Sequence, residues 1–487
     1  MKRIITSVFT VIFIFYIIYP LTVSAKEPYD VYNYDKWGEA VPSQAGYTAE
    51  KAVSGEDLGT IHFNSPNDIF RSSEDIFFVA DTGNNRIVAV NSDMDKIVEI
   101  YERFKMPDGT ETLLSEPKSV YVSPERSLIY IADSGNSRIL VSDMQSNIVM
   151  EITAPKSDLY KYNTFQPIKI LADKAGNIYV VLNNITSGAA LFFPDGEFAG
   201  YYGANRADHS DETFVTLIKS FFSTDAKKAR SERRIPSGIT SFDIDERFIY
   251  TCTQSSSQIT DTIKKINSAG DNIIADKGIV FGDIIPLYDT ETNTSYRTMM
   301  CDIDIGDDGT INCLDSSTGR VFQYDEECNL LFVMGTQADQ LGGFSNQVTA
   351  VESMGEKIYV LDAKKNTITV FRETSFGNLV HKASLLYNGG YYEEAYELWQ
   401  EVLKRDGGYY RAYLGISAAL LKKGEYGEAM KYARLAASSE LYNKAFEGRR
   451  AEFLKEYFNL IVILTAVILL VLRKIIRTGK KRVKRNA

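Results

Sequence analysis

The chain states nearly the same sentence twice: FFVADTGNNRIVAVN around Asp81 returns as IYIADSGNSRILVSD around Asp133, 52 residues later. A self-similar block of that period, built of alternating apolar residues on either side of a turn, specifies a radial array of small antiparallel sheets. Weaker copies extend it: IYVVLNN from 178, FIYTCTQ from 248, INCLDSS from 311 and IYVLDAKKNTITVF from 358. The position held by Asp81 and Asp133 is then occupied by Leu182, Thr253, Asp315 and Asp362, which makes six units. Two intervals are long, and insertions near 203–235 and 282–298 account for them, because loops accept extra length at small entropic cost. A shorter strand opens each unit, often after a proline (Pro66, Pro117, Pro167, Pro236), a residue tolerated where a strand begins. The fold expected is mainly β, a six-bladed propeller.

With these elements in place, the proline-led strand, the IY[VI]AD strand and the GNxRI hairpin resemble NHL repeats over roughly 58–372. The resemblance implies that Gly83 and Gly135, with Asn84 and Asn136, form the tight turn; both residue types accept positive φ. Asp81 with Arg86, and Asp133 with Arg138, are expected to hydrogen-bond within and between blades. Because the motif recurs, it reads as architecture, since an active site is normally singular. Ring closure is expected from a strand near 59–63 paired beside Ile368–Phe371.

A second repeat starts where the first stops. GYYEEA at 390–395 recurs as GEYGEA at 424–429, so Gly390 and Gly424, Tyr392 and Tyr426, and Ala395 and Ala429 are each 34 residues apart. Apolar residues at helical spacing surround both copies. The period and pattern resemble the tetratricopeptide repeat over 376–456, which implies a glycine at the turn, a packed tyrosine at the helix start and an alanine where two helices approach. Such helices either bind a peptide in their groove or form a rigid stalk.

The ends place the chain relative to a membrane. Residues 1–25 carry Lys2 and Arg3, an apolar run and a Val23-Ser24-Ala25 ending, which reads as a secretory signal cut before Lys26, with an uncleaved anchor as the alternative. Residues 457–476 are apolar up to Leu472; twenty residues at ~1.5 Å each span roughly 30 Å, enough for a bilayer core. Eight cations and no acid follow Leu472, with 477–487 as the basic tail, which the positive-inside rule puts in the cytoplasm and the bulk of the chain outside. The net charge of −10 includes that tail, so the remainder is more acidic still and ill suited to nucleic acid.

Residues 26–57 are aromatic-rich without periodicity. They are expected to pack on the propeller, or to offer a saccharide-stacking surface through Tyr32, Tyr34 and Trp37. The stretch 205–235, with Phe214, Phe221 and Phe222 ahead of a basic run, reads as a helix capping the propeller or a contact surface.

Catalytic readings find little. Some NHL-like propellers are zinc lyases, which need converging histidines; here His62, His209 and His381 are scattered. Gluconolactonase-like propellers hold a divalent cation with side-chain oxygens; the innermost strands here offer Asn67, Asp68, Lys118, Lys169 and Ser237, not an oxygen cage. The acidic hairpin from Asp302 to Asp315 reads as a turn at Asp307-Asp308-Gly309 in preference to a calcium loop. Cys301 and Cys313 flank that turn and could form a disulfide; free thiols are the equal alternative, as for Cys252 and Cys328. No catalytic residue, metal ligand or cofactor is assigned. The expectation is a bacterial-type, membrane-anchored extracytoplasmic binding or scaffold protein contacting a protein or glycan, with a membrane transporter as a partner that this layout suggests and no nucleic-acid role. The alternative is a metal-dependent lactonase, hydrolase or lyase of the six-bladed type.

Overall fold

The computed structural model describes residues 29–204, 238–254, 262–274, 279–289 and 294–486. The expected signal segment and the stretch holding His209, Phe214, Phe221, Phe222 and Ser237 lie outside the described residues.

Six antiparallel sheets stand around one axis. Blades 1, 2, 3 and 5 are four-stranded meanders over 68–101, 117–152, 167–202 and 300–334, and blade 4 has three described strands over 241–266. Consecutive inner strands touch one another all the way round, from blade 6 back to blade 1. Apolar residues alternate along the strands and fill the layers between neighbouring blades, so Val79 and Val88 of blade 1 meet Tyr359 and Leu361 of blade 6. This is the burial that period-2 patterning supplies on both faces of a packed sheet.

Blade 6 joins the two ends of the propeller: strands Val348–Met354, Lys357–Asp362 and Thr367–Glu373 are completed by the N-terminal strand Tyr47–Ser54, antiparallel to the last, with Val53 opposite Ile368. The closing partner is the one expected from sequence, but the closing strand is 47–54 and not 59–63. The physical reason is that this strand is a sheet edge, so it carries Glu50 and Lys51 where a central strand would be apolar. Glu50 pairs with Arg372 across it at 2.9 Å.

The helical segment follows without a linker. Helices α1 (Ser375–Asn388), α2 (Tyr392–Arg405), α3 (Tyr410–Lys423), α4 (Tyr426–Leu435) and α5 (Ser439–Asn486) pack consecutively. Thr374 caps α1, its Oγ1 accepting from Gly377 N at 3.0 Å. Gly390 and Gly424 sit between helices with φ of 82° and 80°, the left-handed conformation that ends a helix cheaply only at glycine. Ala395 and Ala429 are fully buried, Tyr392 meets Tyr387 edge-on, and Tyr426 lies where a Cβ on Gly448 would touch its ring. The segment shares one core with blades 5 and 6, through Phe332, Phe376, Trp399 and Tyr409, and a buried Arg411–Asp325 ion pair ties α3 to blade 5. The final helix is about 72 Å long at ~1.5 Å per residue. Its stretch 439–477 holds an 18-residue window long and apolar enough to cross a membrane, none of it buried in the protein.

Within residues 29–46, Asn33 donates to Leu331 O of blade 5 and Ser43 to Asp406 at the end of α2. The three rings read as a stacking surface differ in their surroundings. The hydroxyls of Tyr32 and Tyr34 both donate to Asp283, which Arg320 also holds at 2.9 Å. Only Trp37 is freely exposed, at 74 %.

Candidate functional site

The inner strand of each blade is an edge, and its unpaired backbone groups face the central channel. Two features of those strands build the site.

The first is the residue at the start of each inner strand, which sits at a bulge in four of the six blades. In blades 2, 3, 5 and 6 the register slips by one residue, at Lys118, Ile168, Cys301 and Thr349. Asn67 and Thr240 hold the same place in blades 1 and 4, one before the residue opposite Ala80 and Cys252. A bulge re-aims one side chain, and here all six half-buried residues line a single open cavity of about 530 Å³ at one end of the channel. Three of them donate to the next blade: Asn67 Nδ2 to Lys118 O at 2.9 Å, Cys301 Sγ to Val348 O at 3.8 Å, and Thr349 Oγ1 to Pro66 O at 3.2 Å.

The second is the next channel-facing residue. Asp68, Ser119 and Asp302 each accept the backbone N–H of the following blade's inner strand, at Val120 (3.2 Å), Ile170 (3.2 Å) and Val351 (2.8 Å). Lys169 lies among them, its Nζ 2.7 Å from Asp68 and 3.3 Å from Asp302, and Ser241 Oγ donates to Asp302 at 2.5 Å. Burial pulls the Lys169 ammonium down, but Asp302 and Asp68 outweigh it and hold the group well above the usual lysine range. Lys169 therefore stays charged and cannot act as an amine nucleophile, which must be neutral. The cavity reaches this layer and no further.

Two residues deeper stand Asp243, Asp304 and Glu352. Burial, then the neighbouring Asp304, pushes Asp243 up to about 7; burial also raises Asp304, to about 6, and Glu352 well above the carboxylate range. Asp243 accepts Ile305 N at 2.7 Å, again bridging neighbouring blades. Asp304 accepts from Asn312 of its own blade, and no cluster of three or more His, Cys, Asp or Glu among the described residues converges as a metal-holding group. From Asp304 a buried chain crosses blade 5, through Asn312 Nδ2 (2.8 Å) and Gln323 Nε2 (3.0 Å), to His381 of α1 (2.7 Å).

The repeated motif sits at the rim. Asp81 and Asp133 are fully buried, each accepting from the loop that opens its blade (Asn64 N and Ser115 N, 2.7 Å), from Asn84 or Asn136, and from Arg86 or Arg138 Nε at 2.7 Å. Asp315 and Asp362 accept from Met299 N and Ser345 N in the same way. The turn is a short 3-10 segment, and its left-handed residues are Asn85 (φ 55°) and Ser137 (φ 53°), not the glycines and Asn84 or Asn136. Gly83 and Gly135 serve close approach: an added Cβ would meet Asn64 O or Ser115 O at 2.7 Å.

The cysteines do not pair. Cys313 lies opposite Ile303 while Cys301 occupies the bulge between Met300 and Asp302, so the two are out of register, and none of the four cysteines forms a disulfide among the described residues. In the acidic hairpin Asp308 caps a turn by accepting Thr310 N, and Asp307 pairs with Arg71. His62 lies by Glu56 at the surface.

Of the cavity ring, sequence reasoning had Asn67 and Lys118 and missed Ile168, Thr240, Cys301 and Thr349. A signal existed for the first of these: in blades 1, 2 and 3 the ring residue directly follows the opening proline.

No protein-family profile matches the chain, and no curated protein sequence matches it. Among solved structures it is similar to hydrazine synthase of Kuenenia stuttgartiensis, at 12 % identity over 64 % of this chain and 96 % of that one, with a TM-score of 0.39. It is also similar to virginiamycin B lyase of Staphylococcus aureus (12 %, 66 % and 99 %, 0.38). A gluconolactonase of Xanthomonas campestris is a third (10 %, 67 % and 98 %, 0.37). The likeness is one of fold, and no residue role passes from those proteins to this chain.

Proposed function

We propose that this is a single-pass membrane protein whose outward-facing propeller binds a polar ligand, borne by a glycan or protein partner, in the bulge-lined cavity and does not transform it. The observation that carries the reading is the division of labour along the inner strands. The bulge ring presents amide, hydroxyl, thiol and aliphatic groups and one ammonium, while the acids behind it accept backbone N–H groups of neighbouring blades or pair with Lys169. A general acid or base must be free to reach its substrate, and Asp68 and Asp302, the carboxylates that line the cavity, are already engaged. The blades are read as NHL-like and the helices as tetratricopeptide-like, on the Asp-x-Gly-Asn-x-Arg and Gly-x-Tyr-x-x-Ala patterns. The apolar stretch of α5 followed by eight cations supports a cytoplasmic tail. A partner in the same membrane, such as a transporter, fits a propeller fixed to its anchor through a shared core.

The test is to incubate the full-length protein in lipid nanodiscs with saccharides, lactones, esters and peptides, with and without divalent cations, and to follow both retention and conversion by mass spectrometry. Stoichiometric retention of an unchanged compound is expected. Catalytic conversion of any of them would replace this reading with the hydrolase or lyase alternative.

A further inference from the structure

We infer that the cavity takes the carboxylate of an acidic saccharide, with Lys118 as the residue that pairs with it. This rests on the binding reading above and names its ligand class.

The argument starts from broken symmetry. Six equivalent positions, four of them bulges, bring six side chains to one cavity, and five of the six are uncharged. The sixth, Lys118, forms no ion pair and its ammonium no hydrogen bond among the described residues, although Asn67, Cys301 and Thr349 at equivalent places all donate to the following blade. The other cation of the cavity, Lys169, is balanced by Asp68 and Asp302. A half-buried lysine left without a counter-ion, in a chain whose net charge is −10, does not lack acids to choose from. It is placed where an acid from outside can reach it.

The rest of the lining decides what carries that acid. Asn183, Gln254, Ser316, Asn346 and Gln347 surround the mouth with amides and a hydroxyl that both donate and accept. No aromatic side chain or enclosed apolar pocket is present among the cavity's lining residues to hold an amino-acid side chain. A ligand that answers such a wall is hydroxylated over its whole surface, as a sugar ring is. One lysine matches a monoanionic carboxylate; a phosphate dianion is more often met by an arginine fork or several backbone N–H groups. The volume of about 530 Å³ falls in the range of small-ligand sites.

The experiment is an equilibrium titration of full-length protein in neutral-lipid nanodiscs with methyl β-glucuronide, its uncharged counterpart methyl β-glucoside, glucose 6-phosphate and triglycine. Wild type and the Lys118→Met and Lys118→Arg variants are compared. A charge-assisted hydrogen bond of about 1.5–3 kcal/mol corresponds to a loss of roughly ten- to a hundredfold. We expect the glucuronide to bind wild type, to weaken by that factor in Lys118→Met and to recover in Lys118→Arg, with the glucoside weak throughout. Thermal unfolding of each variant confirms that it is folded. Equal binding of glucoside and glucuronide, unchanged in Lys118→Met, would overturn the inference and leave a neutral saccharide site standing. Tighter binding of the phosphate or of triglycine would overturn the carboxylate-sugar assignment. If nothing binds and nothing slows alkylation of Cys301, both the inference and the reading beneath it fall.

Discussion

Replacing Asp243 by asparagine should leave the protein more stable than wild type at high pH and less stable at low pH. Asp243 is only partly exposed, and burial and the nearby Asp304 push it up to about 7, against an unfolded value near 3.9. A raised carboxyl favours folding in its protonated form, so its contribution is complete below about pH 4 and is lost as pH rises through about 7. Three pH units of difference correspond to at most about 4 kcal/mol of stability lost between pH 4 and 8. Asparagine cannot ionise, so Asp243→Asn removes that loss. The substitution also has a cost, because the carboxyl oxygens accept from two donors, Ile244 N at 2.8 Å and Ile305 N at 2.7 Å, whereas a single amide oxygen keeps one of these contacts. The missing bond costs about 1 kcal/mol. The variant should therefore start about 1 kcal/mol below wild type at pH 4 and finish up to about 3 kcal/mol above it at pH 8, the two curves crossing in between. Guanidinium unfolding of the full-length protein in detergent, followed by near-ultraviolet circular dichroism at half-unit pH steps, measures this directly. Parallel curves would mean that folding leaves Asp243 unshifted, and a deficit that grows with pH would mean that its ionised form is stabilised in the channel; either would refute the reasoning.

Asp81→Ala and Asp133→Ala each strand a buried guanidinium and two other donors, and each should cost about 3–5 kcal/mol, read as a lowered unfolding midpoint with amide exchange rising first in that blade. Cys301 lines the channel cavity while Cys252 and Cys313 are buried away from it, so N-ethylmaleimide should modify Cys301 before either of those in the native protein; its thiol is raised well above the ordinary range by burial and then Asp302, so the reaction should be slow and quicken with pH. Labelling of Cys252 or Cys313 before unfolding would contradict the packing. Gly415→Ala would place a methyl 2.2 Å from Trp399 Nε1 inside the shared core, and overpacking of this kind should lower stability by about 1–3 kcal/mol without altering binding in the cavity.

What the sequence conveyed and what it withheld divide along physical lines. Alternation is local, so six strand–turn–strand units could be read directly, two of them carrying the Asp-x-Gly-Asn-x-Arg signature. Closure could not, because an edge strand such as Tyr47–Ser54 is selected to look unlike a central one, with Glu50 and Lys51 in its middle. The roles within the turn also shifted by one residue: glycine invites an argument from φ, but Gly83 is there for its missing Cβ and Asn85 takes the left-handed place. Register is the deeper loss. Whether Cys301 can meet Cys313, and whether Thr349 faces the channel, depends on a one-residue bulge that leaves no trace in composition. Tyr32 and Tyr34 were drawn to Asp283 by a contact across some 250 positions, beyond the reach of any local pattern.

The same logic says where in a repeat protein to look for function. Residues that recur in blade after blade, such as the buried aspartates of the rim, are accounted for by the fold they build. Blade 5 departs from its sisters along one row. Where blades 1, 2 and 6 pair Phe78 with Ala89, Tyr130 with Val141 and Tyr359 with Val370, blade 5 pairs Asn312 with Gln323. Two buried polar side chains in place of an aromatic and an aliphatic one must be hydrogen-bonded to be tolerated. Their partners are Asp304 at the channel and His381 on α1. Beside the shared apolar core and the Arg411–Asp325 pair, this hydrogen-bonded row links the helical segment to the wall of the channel. The other departure is Lys118, the one cation among the six equivalent positions and without an ion pair among the described residues. One exception anchors the propeller and the other faces its open cavity, so a ligand held at Lys118 would be presented in a fixed orientation relative to the membrane.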